Sequence, residues 1–246
     1  MKKKTVFFAI LYCCSLALYS SENFRLKIKA DKNITVYLNG FYFDNKSKTA
    51  CDEYLINGKN SIVIEPANKT TVDIKIEKCG EGVDTIFSFK GEIFENTTKE
   101  FDLNISSRWY WQDGDNIESI SDEDRKTIIE ATNNVIEAYK TGDFVSVIDT
   151  TMKAYIENYA KMKNKPSNEI RTSWLSSYKE LLGPEVRVSF EVGEGELDIE
   201  LSRYNKKIVR VFRKNGNFLT RIVLEIGDSK EYQYFFMKKD GKWLMQ

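Results

Sequence analysis

The sequence predicts an α+β chain of two domains: an N-terminal antiparallel β-sandwich, then three helices packed on a curved antiparallel sheet. Three observations lead to that class. Apolar residues alternate with a period of two from Phe24 to about Ile105, take helical spacing from Asp122 to Leu181, and return to period two from Val186 to Met245. Turn dipeptides punctuate both strand-rich stretches, among them Asn39-Gly40, Asn57-Gly58, Asn215-Gly216, Gly227-Asp228 and Asp240-Gly241. The one long apolar run lies at the N-terminus, ahead of all of this.

That run has the layout of a secretory signal. Met1-Lys2-Lys3-Lys4 is a positive head, Val6 to Tyr19 is an apolar core of about fourteen residues, and Ser20-Ser21-Glu22 turns polar. A permanent transmembrane helix needs about 20 apolar residues, so residues 1–20 are expected to be removed and the chain exported, in a bacterium to the periplasm. Cys13 and Cys14 leave a lipoprotein form open, although Tyr12 and Cys13 stand where such processing favours a small residue. Loss of three of the 37 basic residues, against 37 acidic ones, gives the mature chain a net charge of about −3. Outside the signal no basic run exceeds a pair, so the clustered basic face that nucleic acid requires is missing.

In the first domain, residues 21–107, Ile34-Thr35-Val36-Tyr37-Leu38 meets Phe41-Tyr42-Phe43 across Asn39-Gly40, a pair suited to a type I′ turn because both residues tolerate positive φ. Alternation recurs over Ser61–Glu65, Thr71–Glu77, Thr85–Lys90 and Glu100–Ile105, and several short strands with turns between them read as a sandwich. Cys51 and Cys79 are the cysteines left after signal removal. In an oxidising compartment they are expected to form a disulfide, whose loop of about 29 residues is worth roughly 3–4 kcal/mol in the chain-entropy model. A metal or redox site would want CxxC spacing or a histidine, and the chain has neither.

The stretch from Ile34 to Gly40, followed by Tyr54-Leu55-Ile56-Asn57-Gly58-Lys59-Asn60-Ser61-Ile62-Val63-Ile64, resembles a segment of galactose-binding-like jelly-roll domains. The resemblance covers about thirty residues. It implies a β-sandwich in which this segment is scaffold, with ligands held by loops elsewhere.

Residues 108–121 read as a junction, with Arg108-Trp109-Tyr110-Trp111 followed by Asp113, Asp115, Glu118, Asp122, Glu123 and Asp124. A calcium-binding EF-hand loop would need glycine at its sixth position and glutamate at its twelfth, and neither is in register. Ser121 with Asp124 three residues on reads instead as a capping box. The second domain, residues 122–246, opens with a helix that lines up Ile128, Ile129, Val135, Ile136 and Tyr139 and ends at Gly142. A second helix, capped by Asp143, carries Phe144, Val147, Ile148, Thr151, Tyr155, Ile156 and Tyr159 until Lys161 to Pro166 breaks it, and a third carries Ile170, Trp174, Tyr178 and Leu181 before Gly183-Pro184 stops it. Six strands follow: Val186–Glu191, Leu197–Leu201, Lys207–Arg213, Phe218–Ile226, Glu231–Lys239 and Lys242–Met245.

This order, closing on Phe235-Phe236-Met237-Lys238-Lys239-Asp240-Gly241-Lys242-Trp243, resembles the nuclear-transport-factor-two-like superfamily, an α+β cone related in shape to cystatins. The resemblance covers residues 122–246 and rests on element order more than on motif. The superfamily includes isomerases, dehydratases, small-ligand carriers and non-enzymatic interaction modules, so it implies a fold and leaves function open.

The chain contains no histidine. Ser-His-Asp and Cys-His nucleophiles, HExxH zinc sites and histidine acid-base catalysis are excluded with it. Ser176-Ser177-Tyr178-Lys179 matches SxxK and Lys140-Thr141-Gly142 matches KTG, but in the wrong order and on helices. Carboxylate chemistry with Glu225 as base and Tyr232 or Tyr234 as oxyanion donor stays open as the minor, isomerase-like alternative. Arg210 and Arg221 stand between apolar neighbours, where guanidinium could reach an anion or simply line a solvated sheet face.

The reading that follows is an exported, non-catalytic protein-binding protein, in its most specific form an envelope immunity protein that neutralises a toxin, with another envelope or secreted protein as partner. Its expected binding residues are Trp109, Trp111, Arg210, Arg221, Tyr232 and Tyr234, the residue types that dominate interfaces. No cofactor, metal, nucleic acid or membrane span is expected. The alternative is a carrier or sensor of a small molecule or glycan in the cavity of the C-terminal cone.

Overall fold

The computed structural model describes residues 24–44, 48–80, 82–106, 108–162, 164–181, 188–224 and 229–245. The signal segment, with Cys13 and Cys14, and Glu225 lie outside them. The chain is α+β with antiparallel sheets and forms two compact units, Met1–Trp109 and Tyr110–Gln246.

The first unit holds β1 (Phe24–Ala30), β2 (Ile34–Leu38), β3 (Phe41–Asp44), β4 (Lys48–Ala50), β5 (Gly58–Pro66), β6 (Thr70–Cys79), β7 (Val83–Ile93) and β8 (Thr97–Leu103). They form two four-stranded sheets, ordered β4-β1-β6-β7 and β3-β2-β5-β8. Alternation sorts the residues by face: Leu26, Ile28, Val72, Ile74 and Ile76 of one sheet and Val36, Leu38, Phe41, Ile62 and Ile64 of the other are buried. Charged neighbours such as Lys27 and Asp73 lie on the opposite face, an arrangement consistent with a β-sandwich. The hairpin at Asn39-Gly40 has both residues at positive φ, 50° and 89°, as a type I′ turn requires.

Two asparagines of the first unit, Asn39 and Asn60, fasten that hairpin. Asn39 Nδ2 donates to the Tyr54 carbonyl (2.7 Å) and to Asn60 Oδ1 (2.8 Å), and Asn39 Oδ1 accepts from the Ser61 amide. Asn60, fully buried, accepts from the Ile56 amide and donates to the Ile56 and Gly58 carbonyls, each at 2.9 Å. With their polar groups paired, these side chains serve as backbone staples.

The second unit begins with residues 110–118, which lie along its last sheet. Tyr110 hydroxyl donates to the Met245 carbonyl, the Asp115 amide to Lys238 (2.7 Å), and the Ile117 amide to Lys206 (2.8 Å). Next come α1 (Asp122–Thr141), α2 (Phe144–Asp149), α3 (Lys153–Met162) and α4 (Ser167–Leu181). The capping box is present at the start of α1, and Gly142 closes the helix in the left-handed region at φ 76°. Four helices replace the three expected. The second expected helix is interrupted at Thr150, whose φ of −117° and ψ of −84° are not helical. Its hydroxyl bonds back to the Ser146 carbonyl (2.7 Å), and two adjacent β-branched threonines make this the weak point of the stripe.

The strands are β9 (Val188–Val192), β10 (Leu197–Leu201), β11 (Val209–Arg213), β12 (Thr220–Leu224), β13 (Ser229–Tyr232), β14 (Tyr234–Lys239) and β15 (Lys242–Met245). The single curved sheet expected is divided in two, ordered β13-β12-β9 and β10-β11-β14-β15. The expected strand Glu231–Lys239 breaks at Gln233, where the chain passes from one sheet to the other. Arg213, buried, ties these sheets together at the far end: Nε donates to the Phe218 carbonyl (3.2 Å) and Nη1 to that of Gly195. The backbones approach so closely there that a Cβ on Gly193 would lie 1.9 Å from the Phe218 oxygen, so only glycine fits.

Candidate functional site

The six expected binding residues are not gathered on one surface. Trp109, in the first unit, and Trp111, in a 3-10 turn of the second, are 1% and 4% exposed. Both work as core residues. Arg221 lies opposite Glu191 in the β12–β9 register and donates to it from Nε (2.7 Å) and Nη2 (2.6 Å), with the guanidinium 4.2 Å above the Phe218 ring. Arg210 likewise lies opposite Glu200 across β11 and β10, with Nη1 3.2 Å from the carboxylate. Each arginine is explained by a cross-strand pair on the outer sheet face.

Tyr232 and Tyr234 do come together, with partners from three helices. Tyr139 of α1, Phe144 of α2, Tyr178 of α4, Phe190 of β9 and Tyr232 of β13 pack ring to ring, with centroids 4.1 to 5.9 Å apart. Behind them Tyr234 and Thr220 share a hydrogen bond between buried hydroxyls, near the buried Tyr139 phenol. Burial pushes the Tyr139 and Tyr234 phenols above their ordinary range, and neighbouring phenols add to it. Both phenols are neutral, and the rings around them pack as core side chains.

Asp124 is the most perturbed carboxylate of this unit. Trp243 Nε1 donates to it at 2.6 Å and Lys238 Nζ at 2.9 Å, which together with the Ser121 cap hold it at about 2. It joins the start of α1 to the β14–β15 hairpin, a structural task. Lys140-Thr141-Gly142 ends α1, and the Thr141 hydroxyl is spent on the Glu137 carbonyl. Among the described residues no three Cys, Asp or Glu side chains converge as a metal site, and no helix is long and apolar enough to cross a membrane.

Cys51 and Cys79, expected to bridge, are not joined in the structure, and their pairing stays a proposal. Cys51 donates its amide to the Phe24 carbonyl on one side of β1, and Cys79 follows Lys78, which pairs with Phe24 on the other side. Burial, and then Asp52 beside it, push the Cys51 thiol well above its ordinary value.

Sequence reasoning missed the surface where apolar residues stay exposed. Of the large apolar side chains exposed among the described residues, Val83 (63%), Ile86 and Phe94 (72%) all belong to β7 or the turn after it, with Val145 and Tyr204 isolated elsewhere. Phe87 of β7 stacks 5.0 Å from Phe101 of β8, both half-buried, and Lys99 lies 4.7 Å over Phe89. β7 and β8 are edge strands of the two sheets, eleven and seven residues long, whereas the opposite edges, β3 and β4, have four and three. The signal was present: Ile86, Phe87, Phe89, Ile93 and Phe94 crowd one hairpin arm, more than a one-sided strand needs. No family model, no curated protein and no solved structure matches the chain.

Proposed function

We propose that this chain is an exported, non-catalytic protein-binding protein, and that its binding surface is the β7–β8 side of the N-terminal sandwich. The observation that carries this reading is the concentration of exposed apolar side chains on one long edge strand. An unpaired edge presents a row of amide and carbonyl groups, and natural folds usually shorten, cover or charge such edges. Here one side is shortened and the other left long. A partner strand added to β7 would satisfy those groups and cover Val83, Ile86 and Phe94, which is how strand-addition complexes gain both affinity and specificity. The charged N-terminal head and short apolar core support export. The sequence offers no histidine chemistry, and the arginines and tyrosines considered for ligand binding have partners within the fold.

The carrier reading has one observation in its favour, the buried hydroxyls of Tyr139, Thr220 and Tyr234 within an aromatic wall. Those rings pack against one another at 4.1 to 5.9 Å, the arrangement of a core more than of an open binding wall. Protein binding is therefore the better reading.

A photo-crosslinking amino acid at position 88, exposed on β7, and another at position 44, at the end of β3, test it in the exported protein. The expected result is a protein adduct from position 88 and none from position 44. Equal adducts from both, or none from either, overturn the reading.

A further inference from the structure

We propose that the strand that occupies β7 is β7 of a second copy of this chain, antiparallel and related by a two-fold axis through Gly91. The inference rests on the reading of β7 as the binding edge and names its occupant. Among the described residues β7 pairs with β6 alone, and a bulge divides the strand: Phe87 faces Ile76 and Thr85 faces Glu77, so Ile86 is the extra residue. Beyond the bulge, Phe87, Phe89, Gly91 and Ile93 lie opposite Ile76, Ile74, Val72 and Thr70, all buried. Ser88, Lys90 and Glu92 point the other way and are exposed, Glu92 in a solvent-screened ion pair with Lys69 at 2.8 Å.

A two-fold partner must keep apolar face beside apolar face, so the axis must pass through a residue, and few registers remain. An axis at Lys90 sets lysine against lysine, and one at Glu92 sets glutamate against glutamate. An axis at Phe89 faces Lys90 with Ser88, and one at Ser88 faces Lys90 with Ile86, the bulged residue. Only the axis at Gly91 sets Lys90 opposite Glu92, twice by symmetry, and on the other face it sets Phe89 opposite Ile93 twice. Phe94, 72% exposed, then lies opposite Ser88 beside the paired stretch Phe89–Ile93, and Val83 and Ile86 lie beyond it.

Gly91 suits the axis. A Cβ there would meet nothing nearer than the Phe89 ring at 3.8 Å, and its φ is not in the left-handed region, so neither backbone strain nor crowding requires glycine. A glycine in a strand interior otherwise weakens it, and one recurring reason to keep it is close approach by another backbone. Here the Phe89 rings of both copies would cover the bare stretch diagonally. A foreign strand would have to bring a basic and an acidic residue at matching positions, whereas a second copy carries them already.

The test is the concentration dependence of molar mass, by sedimentation, for the exported protein and for K90E, E92K and K90E/E92K. All three change exposed side chains, and thermal melts confirm that each folds. The expected result is a concentration-dependent dimer, weakened about tenfold or more by either single substitution, which sets like charges opposite each other twice, and restored by the double one. Single variants that associate as the parent does, or a double variant that fails to recover, overturn the proposal. A protein that stays monomeric at every concentration while position 88 crosslinks to a different protein also overturns it and leaves the protein-binding reading standing. A monomer with no adduct removes both.

Discussion

β7 of the first unit and β11 and β12 of the second share a pattern, charged residues set between apolar ones, and differ in what lies beside them. β11 runs between β10 and β14, and β12 between β13 and β9, so Arg210 and Arg221 each find a glutamate on a neighbouring strand. Among the described residues β7 has a neighbour strand on one side alone. Lys90 and Glu92 face Asp73 and Thr71 of β6, and Glu92 is ion-paired with Lys69 at 2.8 Å. Inner strands thus set such charges between two neighbouring strands, and the edge strand sets them beside one. Position in the sheet decides the role, which residue type alone does not reveal.

The sharpest way to break this contrast is at Trp111, which would be a binding anchor if the second unit held the interface. It is 4% exposed in the turn that lies along the last sheet. Trp111→Ala is expected to cost about 3–5 kcal/mol of stability, as large-to-small changes in a core do. Chemical denaturation measures it, and crosslinking from position 88 is expected to be unchanged per folded molecule. Full stability with crosslinking lost would move the binding surface to the second unit.

Much of this was legible in the sequence, and what was not has a physical cause. The type I′ hairpin and the Ser121 capping box could be read because each is set by residues no more than three apart. The break at Thr150 was concealed by an apolar stripe that continues across it, from Val147 to Tyr155, so periodicity outvoted the threonines. The split of the second sheet turns on Gln233, one polar residue between tyrosines, which local pattern cannot tell from an outward-facing strand position. The β7 edge was missed for a related reason. Strand order is a property of long-range pairing, and until β6 is known as its sole neighbour, Phe87 and Phe89 look like ordinary core residues.

A smaller effect is expected at Asp124, where the second unit uses a charge for architecture. Its carboxyl is held at about 2, below its ordinary 3.8, by the Trp243 indole first and the Lys238 ammonium second. A depressed carboxylate contributes stability that is fully present above its unfolded value, near pH 4, and is lost as pH falls through about 2. Asp124→Asn keeps the shape and one acceptor but not the charge, and is expected to cost about 1–2 kcal/mol at neutral pH. Thermal melts between pH 6 and about 2 check the sign. The parent should lose stability relative to the variant across the acid end, so that the two curves converge. A gap that stays constant with pH would show that the charge is irrelevant and that only the cap geometry counts.

The smallest effect is expected at Arg221, and it bears most directly on whether an inner strand can also be a binding surface. The guanidinium and the Glu191 carboxylate keep 33% and 39% of their side-chain surface exposed, so solvent screens much of their attraction. Stacking on Phe218 at 4.2 Å adds a modest cation–π contribution, about 0.5–1 kcal/mol at such a site. Arg221→Ala should therefore cost about 1 kcal/mol or less. A double-mutant cycle with Glu191→Ala should return a coupling of about 0.5 kcal/mol that shrinks as salt is raised. If Arg221 were instead an interface anchor, the same substitution would leave the melt nearly unchanged and weaken partner binding by about 2 kcal/mol or more. Measured on one sample, the melt and the binding isotherm separate these outcomes: a small, salt-sensitive loss of stability with binding intact keeps the arginine within its own sheet. A binding loss at constant stability would mean that an arginine already paired across strands still reaches a partner, and that the edge of β7 is not the sole place where this chain meets another.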